Sequence, residues 1–454
     1  FRIGLPAGKQ ELTVIHPAFS TEQLAVQVDP AGSPRLLAVR MAPAAARLPD
    51  FTVIAPKIVG GTAGLLAVRR EASTVTEIIG AEQMSKSGDS DAAAALGRVP
   101  GITVVGGKYV YIRGLGERYS ATVLNGSTLP SPEPERRVVP LDMFPAGVLE
   151  EITIQKTYTP DLPGDFSGGM VKLRTRGFPS RFIAKIGLTF GLNDASALRQ
   201  GTGHEGGGLD WLTLGTGDRQ LPDLVQAAGA GGQIQPYDRW TNTGLTDEEL
   251  EKLGEAMPNR WATRQQTLAP DLGLSGTIGD SGNFGRKKAG YLLSLGYSNE
   301  WRLRVSDSLL PNVAVGAGEE LEIFDDLSAR ELLHEVKLSA IGTAGLDLSG
   351  EKHKLRLSSL MVRIGEDQTR LIEGFDRDLG ANKRGARIWY RERMLLFNQI
   401  TAEHRLAELT ESRAFGLGLD WRYAFSLATL DEPDRRSTRY DEEAPGLFER
   451  RGRL

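Results

Sequence analysis

The chain has 454 residues, 40% of them hydrophobic, with 54 basic and 58 acidic residues and a formal net charge of -4. That length exceeds one ordinary soluble domain and can bury a sizeable core, while the near balance of charge argues against nucleic-acid binding, which needs a basic patch or stripe. There is no cysteine, which excludes disulfides, thiolate metal sites and thiol nucleophiles and fits an oxidising compartment. No apolar run approaches the ~18 residues of a membrane helix, so any membrane crossing must be made by barrel strands, which satisfy their backbone groups by pairing.

The sequence opens at Phe1 without the charged and apolar regions of a signal peptide, and the expectation is that its start is missing. Residues 1–28 are expected to form short strands, at 3–5 and 12–15 about a turn at Ala7-Gly8-Lys9, with a further apolar stretch at 24–28. This is too little for an independent core. Residues 29–50 read as a linker with one more strand at 35–40. Phe51-Thr52-Val53-Ile54-Ala55-Pro56 is a short β-rich segment. It is either an ordinary strand or a segment that adds as an edge strand to a partner. Residues 57–73 form a glycine-containing tether.

A compact irregular region begins at residue 74. It is expected to hold a strand at 75–79, a helix at 81–86, and a second helix with an alanine face at 92–96, capped by Asp89 or Ser90 and ending before Pro100-Gly101. Residues 102–105 and 108–112 flank Gly106-Gly107 as a hairpin. Residues 122–124 and 127–129 flank Asn125-Gly126, the signature of a type I′ turn. Prolines 130, 132, 134 and 140 then break the chain, and Asp142 can cap a short helical turn. Strands at 151–157 and 170–176 are joined by the run PGDFSGG, which contains Gly164, Gly168 and Gly169.

From residue 181 the pattern changes to long two-residue alternation. Phe182, Ala184, Ile186, Leu188, Phe190 and Leu192 share one face, with Ile183 the exception. Similar alternation recurs at 272–279, 291–297, 336–348 and most clearly at 415–427, where Phe415, Leu417, Leu419, Trp421, Tyr423, Phe425 and Leu427 stand opposite Gly416, Gly418, Asp420, Arg422 and Ser426. Apolar on one side and small or polar on the other is the strand signature of an outer-membrane barrel. Tyr291 and Tyr297 end one such face as a membrane girdle would. Residues 355–364 change phase after Leu357, which predicts a bulge, and 388–406 is mixed. Connections are expected to alternate long and short: 193–266 long, 280–287 short, 306–333 long, 350–352 short, 365–387 long, 408–411 short. The first long connection carries one helix, from Thr246 to Gly254, with Thr246 and Glu249 as a capping box. About seven strands are expected. Bacterial single-chain barrels close with an even number, so the expectation is a fragment that lacks most of its barrel.

Candidate chemistry is sparse. Gly114-x-Gly116 follows a strand, but Tyr119 occupies the third glycine position and no βαβ unit follows, so it is not a dinucleotide loop. His16, His204, His334, His353 and His404 are scattered, with no pair at helical metal-ligand spacing. Ser131 and Ser167 have no histidine nearby in the motif, so no catalytic residue, metal or cofactor is expected. Glu133, Glu135, Arg136 and Arg137 form a charge cluster, read either as a solvated turn or as a salt-bridge lock between the compact domain and a barrel wall, where buried charges must be paired. Arg113, Arg118, Lys156, Arg174 and Arg176 could serve likewise. Gly114, Gly116, Gly126, Gly164, Gly168 and Gly169 are read as serving backbone geometry.

The stretch 110–176 carries RGLGERYS (Arg113 to Ser120), LNG (Leu124 to Gly126), LPSPEP (Leu129 to Pro134), RRVVPLD (Arg136 to Asp142) and PGDFSGG, in that order. Linked motifs of this kind resemble the plug of TonB-dependent outer-membrane receptors. The first residues are similar to the last strands of a carboxypeptidase-regulatory-like β-sandwich. The resemblance implies a mainly β protein: the end of that sandwich at 1–30, a linker at 31–73 with a TonB box at 50–56, a small α+β plug domain at 74–178, and the first strands of an antiparallel transmembrane β-barrel at 179–454. It also implies that Phe51, Thr52, Val53, Ile54, Ala55 and Pro56 engage TonB of the inner-membrane energy-coupling complex, and that Arg113, Gly114, Gly116, Asn125, Gly126, Arg136, Arg137, Gly164, Gly168 and Gly169 mark the plug. The expected location is the outer membrane, among its lipid, with the plug and N-terminal region facing the periplasm. The expected function is energy-coupled import of a scarce, bulky ligand such as a siderophore–iron complex, a cobalamin or a glycan, without enzyme activity. The alternatives are a plugged barrel that acts as an adhesin or signalling receptor without import, and a secreted β-rich binding protein.

Overall fold

A computed structural model describes residues 3–16, 19–30, 36–41, 76–134, 136–159, 168–230, 233–258, 260–285, 287–311, 323–348, 352–376, 379–407 and 417–450. The chain divides into two units, residues 1–57 and 58–454. In the first, β1 (Gly8–His16) and β2 (Phe19–Val28) pair antiparallel, with Gly8 opposite Val28. Where a turn is expected at residues 7–9, β1 instead starts at Gly8, because the alternation that half-buries Leu12 and Val14 continues back through the polar residues before them. Where a strand is expected at 35–40, the described residues 36–41 are irregular. Phe51 to Pro56 lie outside the described residues, as does Gly164.

The second unit begins with the small α+β domain. Its elements are β3 (Thr76–Gly80), α1 (Ala81–Ser87), α2 (Ala92–Leu96), β4 (Ile102–Val105), β5 (Tyr109–Ile112), β6 (Ser120–Leu124), β7 (Ser127–Thr128), β8 (Leu149–Gln155) and β9 (Gly169–Thr175). Five of the strands form one sheet in the order β3-β8-β9-β6-β7, with β6 and β9 parallel, and β4–β5 is a separate hairpin. Both expected two-residue turns form with positive φ: Gly106 (62°) and Gly107 (69°), and Asn125 (49°) and Gly126 (77°). The second helix is capped one residue later than expected. Asp91, rather than Asp89 or Ser90, takes the Ala94 N–H at 2.9 Å. Met84, Leu96, Ile112, Leu124, Phe144, Leu149 and Ile152 are fully buried and form the centre of the core.

After this domain come β10 (Ile183–Gly191), β11 (Gln200–His204), α3 (Asp223–Ala230), α4 (Asp247–Ala256), β12 (Thr263–Thr267), β13 (Asp271–Phe284), β14 (Lys287–Pro311), β15 (Ile323–Leu348), β16 (His353–Asp376), β17 (Ala381–Ala407), β18 (Leu417–Ala444) and β19 (Leu447–Arg450). Seven long strands and the short β19 form one antiparallel sheet in the order β10-β13-β14-β15-β16-β17-β18-β19. The first long connection holds the expected helix as α4, with both halves of the Thr246–Glu249 capping box present. It also holds α3 and the β11–β12 hairpin, which the sequence pattern did not signal.

Two expectations about the sheet are corrected. The phase change after Leu357 is not a bulge: the β16 register runs unbroken against both neighbours from His353 to Asp376. Both faces of β16 are apolar there because each has a different neighbour. Leu355, Leu357 and Met361 face outward, while Leu360, Val362 and Ile364 are buried in a cluster with the small domain. The same cause explains why 388–406 reads as mixed, since Leu395 and Phe397 join that cluster from β17. The long connections expected at 306–333 and 365–387 are mostly strand. β14 to β18 are 24–28 residues long, whereas crossing a bilayer takes about 9–11. Only one portion of each strand carries the outward apolar band, for example Leu417 to Leu427 on β18. Beyond it the strands continue as a polar ribbon, which has no apolar alternation to betray it.

Candidate functional site

The small domain meets the sheet through β15 to β18. Residues directly opposite in a ladder share a face, so Lys337, Ile364 and Arg393 lie in one row, and Glu335, Glu366 and Arg391 in the next. All of these are on the face that takes the small domain. The apolar part of the contact is a single cluster in which Leu141, Phe144 and Ile112 join Ile341, Leu360, Val362, Ile364, Leu395 and Phe397.

Charges are embedded in that contact. The Arg393 guanidinium, fully buried, forks onto the Asp142 carboxylate at 2.7 and 3.4 Å and reaches Glu366 at 3.1 Å. Lys108, on the β4–β5 turn, donates to Glu366 at 2.7 Å, and Arg391 closes on the other oxygen of Glu366. Lys337 donates to the Asp142 carbonyl at 2.8 Å and stands 3.8 Å from both Asp91 and Glu335. Five carboxylates (Asp91, Glu133, Asp142, Glu335, Glu366) therefore face four cations (Lys108, Lys337, Arg391, Arg393), so that the formal charges nearly cancel. Asp142, Glu335 and Glu366 bring carboxylate oxygens within 4.8 Å of one another, a spacing that suits a metal ion. Here the surrounding ammonium and guanidinium groups already supply the positive charge, so the donor set does not fit a resident cation. Burial pushes the Asp91 carboxyl above the usual carboxylate range, opposed by Lys337. Burial, with Glu133 nearby, pushes the Tyr109 phenol up to about 12.

Neutral hydrogen bonds extend the contact. Gln399 Nε2 donates to the Asn125 carbonyl at 3.2 Å and to Ser127 Oγ at 2.9 Å, Arg422 donates to the Gly126 carbonyl at 2.6 Å, and Thr343 Oγ1 donates to the Arg176 carbonyl at 2.9 Å. On the side of β10, β13 and β14 the domain instead borders a cavity of about 620 Å³, lined on the sheet by small residues such as Gly191, Gly273, Ser275, Ser294 and Gly296.

The structure places the sequence-derived site residues as follows. Asn125 fixes its turn to β9, donating to Thr175 Oγ1 at 2.9 Å and accepting the Thr175 N–H at 3.0 Å. Arg113 and Gly114 turn the chain with φ of 55° and 77°, and Arg113 donates its N–H to the Gly101 carbonyl at 2.9 Å. Gly116 is part-exposed, and a side chain there would meet nothing within 4 Å. A Cβ on Gly168 would press on the Tyr119 carbonyl at 2.9 Å, and one on Gly169 on the Ile112 side chain at 2.6 Å. Of the expected charge cluster, Glu133 stands 3.9 Å from Arg393 and Glu135 lies outside the described residues. Arg136 and Arg137 are exposed and stand outside the buried contact, with Arg136 stacked over Tyr109 at 4.3 Å. Asp142 does not cap its helical turn. Its carboxylate is turned to Arg393, and Pro140 holds the cap position. The sequence reading missed Lys108, Asp142, Asp91 and their partners because single charges in strands carry no local signal. It also missed the cross-strand pair His353 and His404, whose Nδ1 atoms lie 3.1 Å apart.

The opposite face of the sheet, beyond the apolar band, carries a second polar contact. There the connection between β10 and β13 folds onto β16 and β17. Arg363 Nε donates to the Thr213 carbonyl at 2.6 Å, the Thr216 N–H to Glu392 at 3.2 Å, and Tyr390 Oη to Glu392 at 2.7 Å. Arg219 stacks on Tyr390 at 3.7 Å while gripping Asp210 at 2.5 and 2.7 Å. His204, nearly buried, lies 3.2 Å from Thr369 Oγ1 and 3.4 Å from Asp367. Burial, with Arg219 beside it, pushes its imidazole down to about 4.

A small α+β domain pinned by charges to one face of long antiparallel strands, whose other face is an exposed apolar band, is the arrangement of a plugged outer-membrane β-barrel. Residues 68–171 match the family model described as TonB-dependent Receptor Plug Domain. Solved structures with weaker likeness include the siderophore receptor PirA from Pseudomonas aeruginosa (12% identity, 82% of this chain and 54% of that one, TM-score 0.27). They also include the copper transporter OprC (9%, 82% and 64%, 0.25) and the ferric citrate transporter FecA in its unliganded form (11%, 84% and 62%, 0.29). At such scores these likenesses carry no weight for fold or cargo. The chain thus spans between half and two thirds of the length of these three proteins. No curated protein matches.

Proposed function

We propose that the protein is a TonB-dependent outer-membrane transporter whose plug is displaced, under force from the inner-membrane complex, to admit a scarce and bulky ligand. The observation that carries this reading is the asymmetric seating of the plug. It is held on one side by interlocked charges of both signs, and it borders a cavity of about 620 Å³ with a wall rich in small residues on the other. Ion pairs lose most of their strength over a few ångströms, and each separated ion regains hydration as water enters. An interlocked lattice of this kind resists thermal escape yet yields to a directed pull, and the ligand then passes along the β10–β13–β14 wall. In this reading Phe51 to Pro56 add as an edge strand to TonB. The hairpin turns after β13 and β15 face the periplasm with the N-terminal region, and the longer ends of the strands face outward.

The test uses the full-length receptor in detergent and the purified periplasmic domain of TonB. Saturable binding that is lost in a Val53→Pro, Ile54→Pro variant supports energy coupling through this segment. Equal binding by both proteins moves the coupling segment elsewhere. No binding by either favours the non-transporting receptor.

A further inference from the structure

Above the plug, the sheet face that holds Arg393 carries a group of arginines around one tryptophan. Arg387, Trp389 and Arg391 share the face of Arg393 on β17, at two-residue steps, and Arg370 shares the face of Glu366 on β16. In the ladder, Arg370 stands directly opposite Arg387, and Trp389 directly opposite Arg435. The guanidinium carbons of Arg391, Arg387 and Arg435 lie 4.4, 5.7 and 5.8 Å from the Trp389 ring centre. Along the strand, Trp389 is about 13 Å beyond Arg393 at ~3.3 Å per residue, past the Lys108 turn where the plug reaches Glu366.

Three features of this group remain unexplained by the fold. Like charges directly opposite each other weaken a sheet, yet Arg370 faces Arg387 across a ladder. Among the described residues, Arg391 is held by Glu366, but no ion pair is recorded for Arg370, Arg387 or Arg435. Glu331 stands opposite Arg370 on the other side, a single carboxylate beside three cations. Finally, three buried donors lack a partner among the described residues: Arg370 Nε, Arg387 Nε and Trp389 Nε1. Unsatisfied buried donors are uncommon and destabilising unless a partner arrives. Planar guanidinium forks suit oxyanions with two acceptor atoms, and the indole face beside them suits a flat ring.

Resting on the receptor reading above, we infer that Arg370, Arg387, Trp389 and Arg435 form the capture site for the transported ligand, and that this ligand is a polyanion bearing carboxylate-, catecholate- or sulfonate-like oxygens rather than a neutral glycan or a cobalamin. The anion separates the facing arginines and receives the three orphan N–H groups. It is drawn in before it meets the plug, where the charges already nearly cancel.

The experiment measures binding of pyrene tetrasulfonate, an aromatic polyanion, to the full-length receptor in detergent by fluorescence anisotropy, with citrate and maltoheptaose as competitors. The expected result is saturable binding, displaced by citrate but not by maltoheptaose, and at least tenfold weaker in Arg387→Gln and in Arg370→Gln with Arg435→Gln. Arg384→Gln removes the same charge from a strongly exposed position on the other face of β17 and should leave binding within twofold. Equal binding by all variants overturns the inference, as does a loss as large in R384Q or displacement by maltoheptaose. The measurement needs no TonB. Binding with these properties but no TonB engagement would therefore defeat the transport reading and leave the site standing, and the reverse pattern would do the opposite.

Discussion

Breaking the Arg393–Asp142 fork gives the sharpest test of how the plug is held. Arg393 is fully buried and Asp142 nearly so, joined at 2.7 and 3.4 Å with Glu366 at 3.1 Å. Replacing Arg393 with Met leaves Asp142, Glu335 and Glu366 within 4.8 Å of one another with one cation fewer. An uncompensated buried charge of this kind costs about 3–5 kcal/mol. Asp142→Asn keeps the shape but leaves Arg393 with Glu366 and the more distant Glu133, for an expected loss of about 2–3 kcal/mol. The double variant removes one charge of each sign and restores the original charge balance, so its loss should be about 3–4 kcal/mol rather than the sum. The assay is the urea concentration at which the plug of the full-length receptor in detergent becomes cleavable by trypsin. With an m-value of about 1–1.5 kcal/mol/M for a domain of this size, the midpoint should fall by roughly 2–5 M in Arg393→Met and roughly 1–3 M in Asp142→Asn. The reasoning would be refuted by losses that add to within about 0.5 kcal/mol, because that is how independent sites behave.

Three further outcomes follow from the geometry. The His204 imidazole is held well below its ordinary value, so its stabilising contribution is complete above about pH 6.5 and is lost as pH falls toward about 4. Hydrogen-exchange protection at residues 199–204, corrected for the intrinsic pH dependence of amide exchange, should therefore fall between pH 7 and pH 5 in the wild type but not in His204→Gln, and a pH-independent protection in both would discard the idea. Gly126→Ala places a methyl group against the Arg422 guanidinium at a φ of 77°, which should loosen plug retention by about 1–2 kcal/mol in the trypsin assay. Gly169→Ala drives a methyl group into Ile112 in the plug core and should lower plug stability by about 1–3 kcal/mol. Recovery in a Gly169→Ala, Ile112→Val double variant would trace the loss to this contact, and no recovery would place it elsewhere.

Local pattern alone determined a good part of this protein. The glycine-bearing turns at 106–107 and 125–126, the capping box at Thr246 and five of the seven long strands follow from backbone preference and two-residue periodicity, which act over a few neighbours. The linked motifs from Arg113 to Gly169 likewise carried the likeness to a plug domain, which the family model matches at residues 68–171. Tertiary structure decided the rest. Whether Leu360 or Leu357 faces the plug depends on what lies on each side of β16, and a two-sided apolar strand has no period to read. The strand extension at 365–376 was invisible because it has no sustained apolar alternation, so its pairing, not its composition, makes it a strand. The buried charges are the clearest case: Lys108, Asp142, Glu366 and Arg393 are up to 285 positions apart in a chain of 454 residues. Nothing near any of them in sequence indicates a partner, because an ion pair depends on distance in space, and only the docking of plug on sheet brings them within 4 Å.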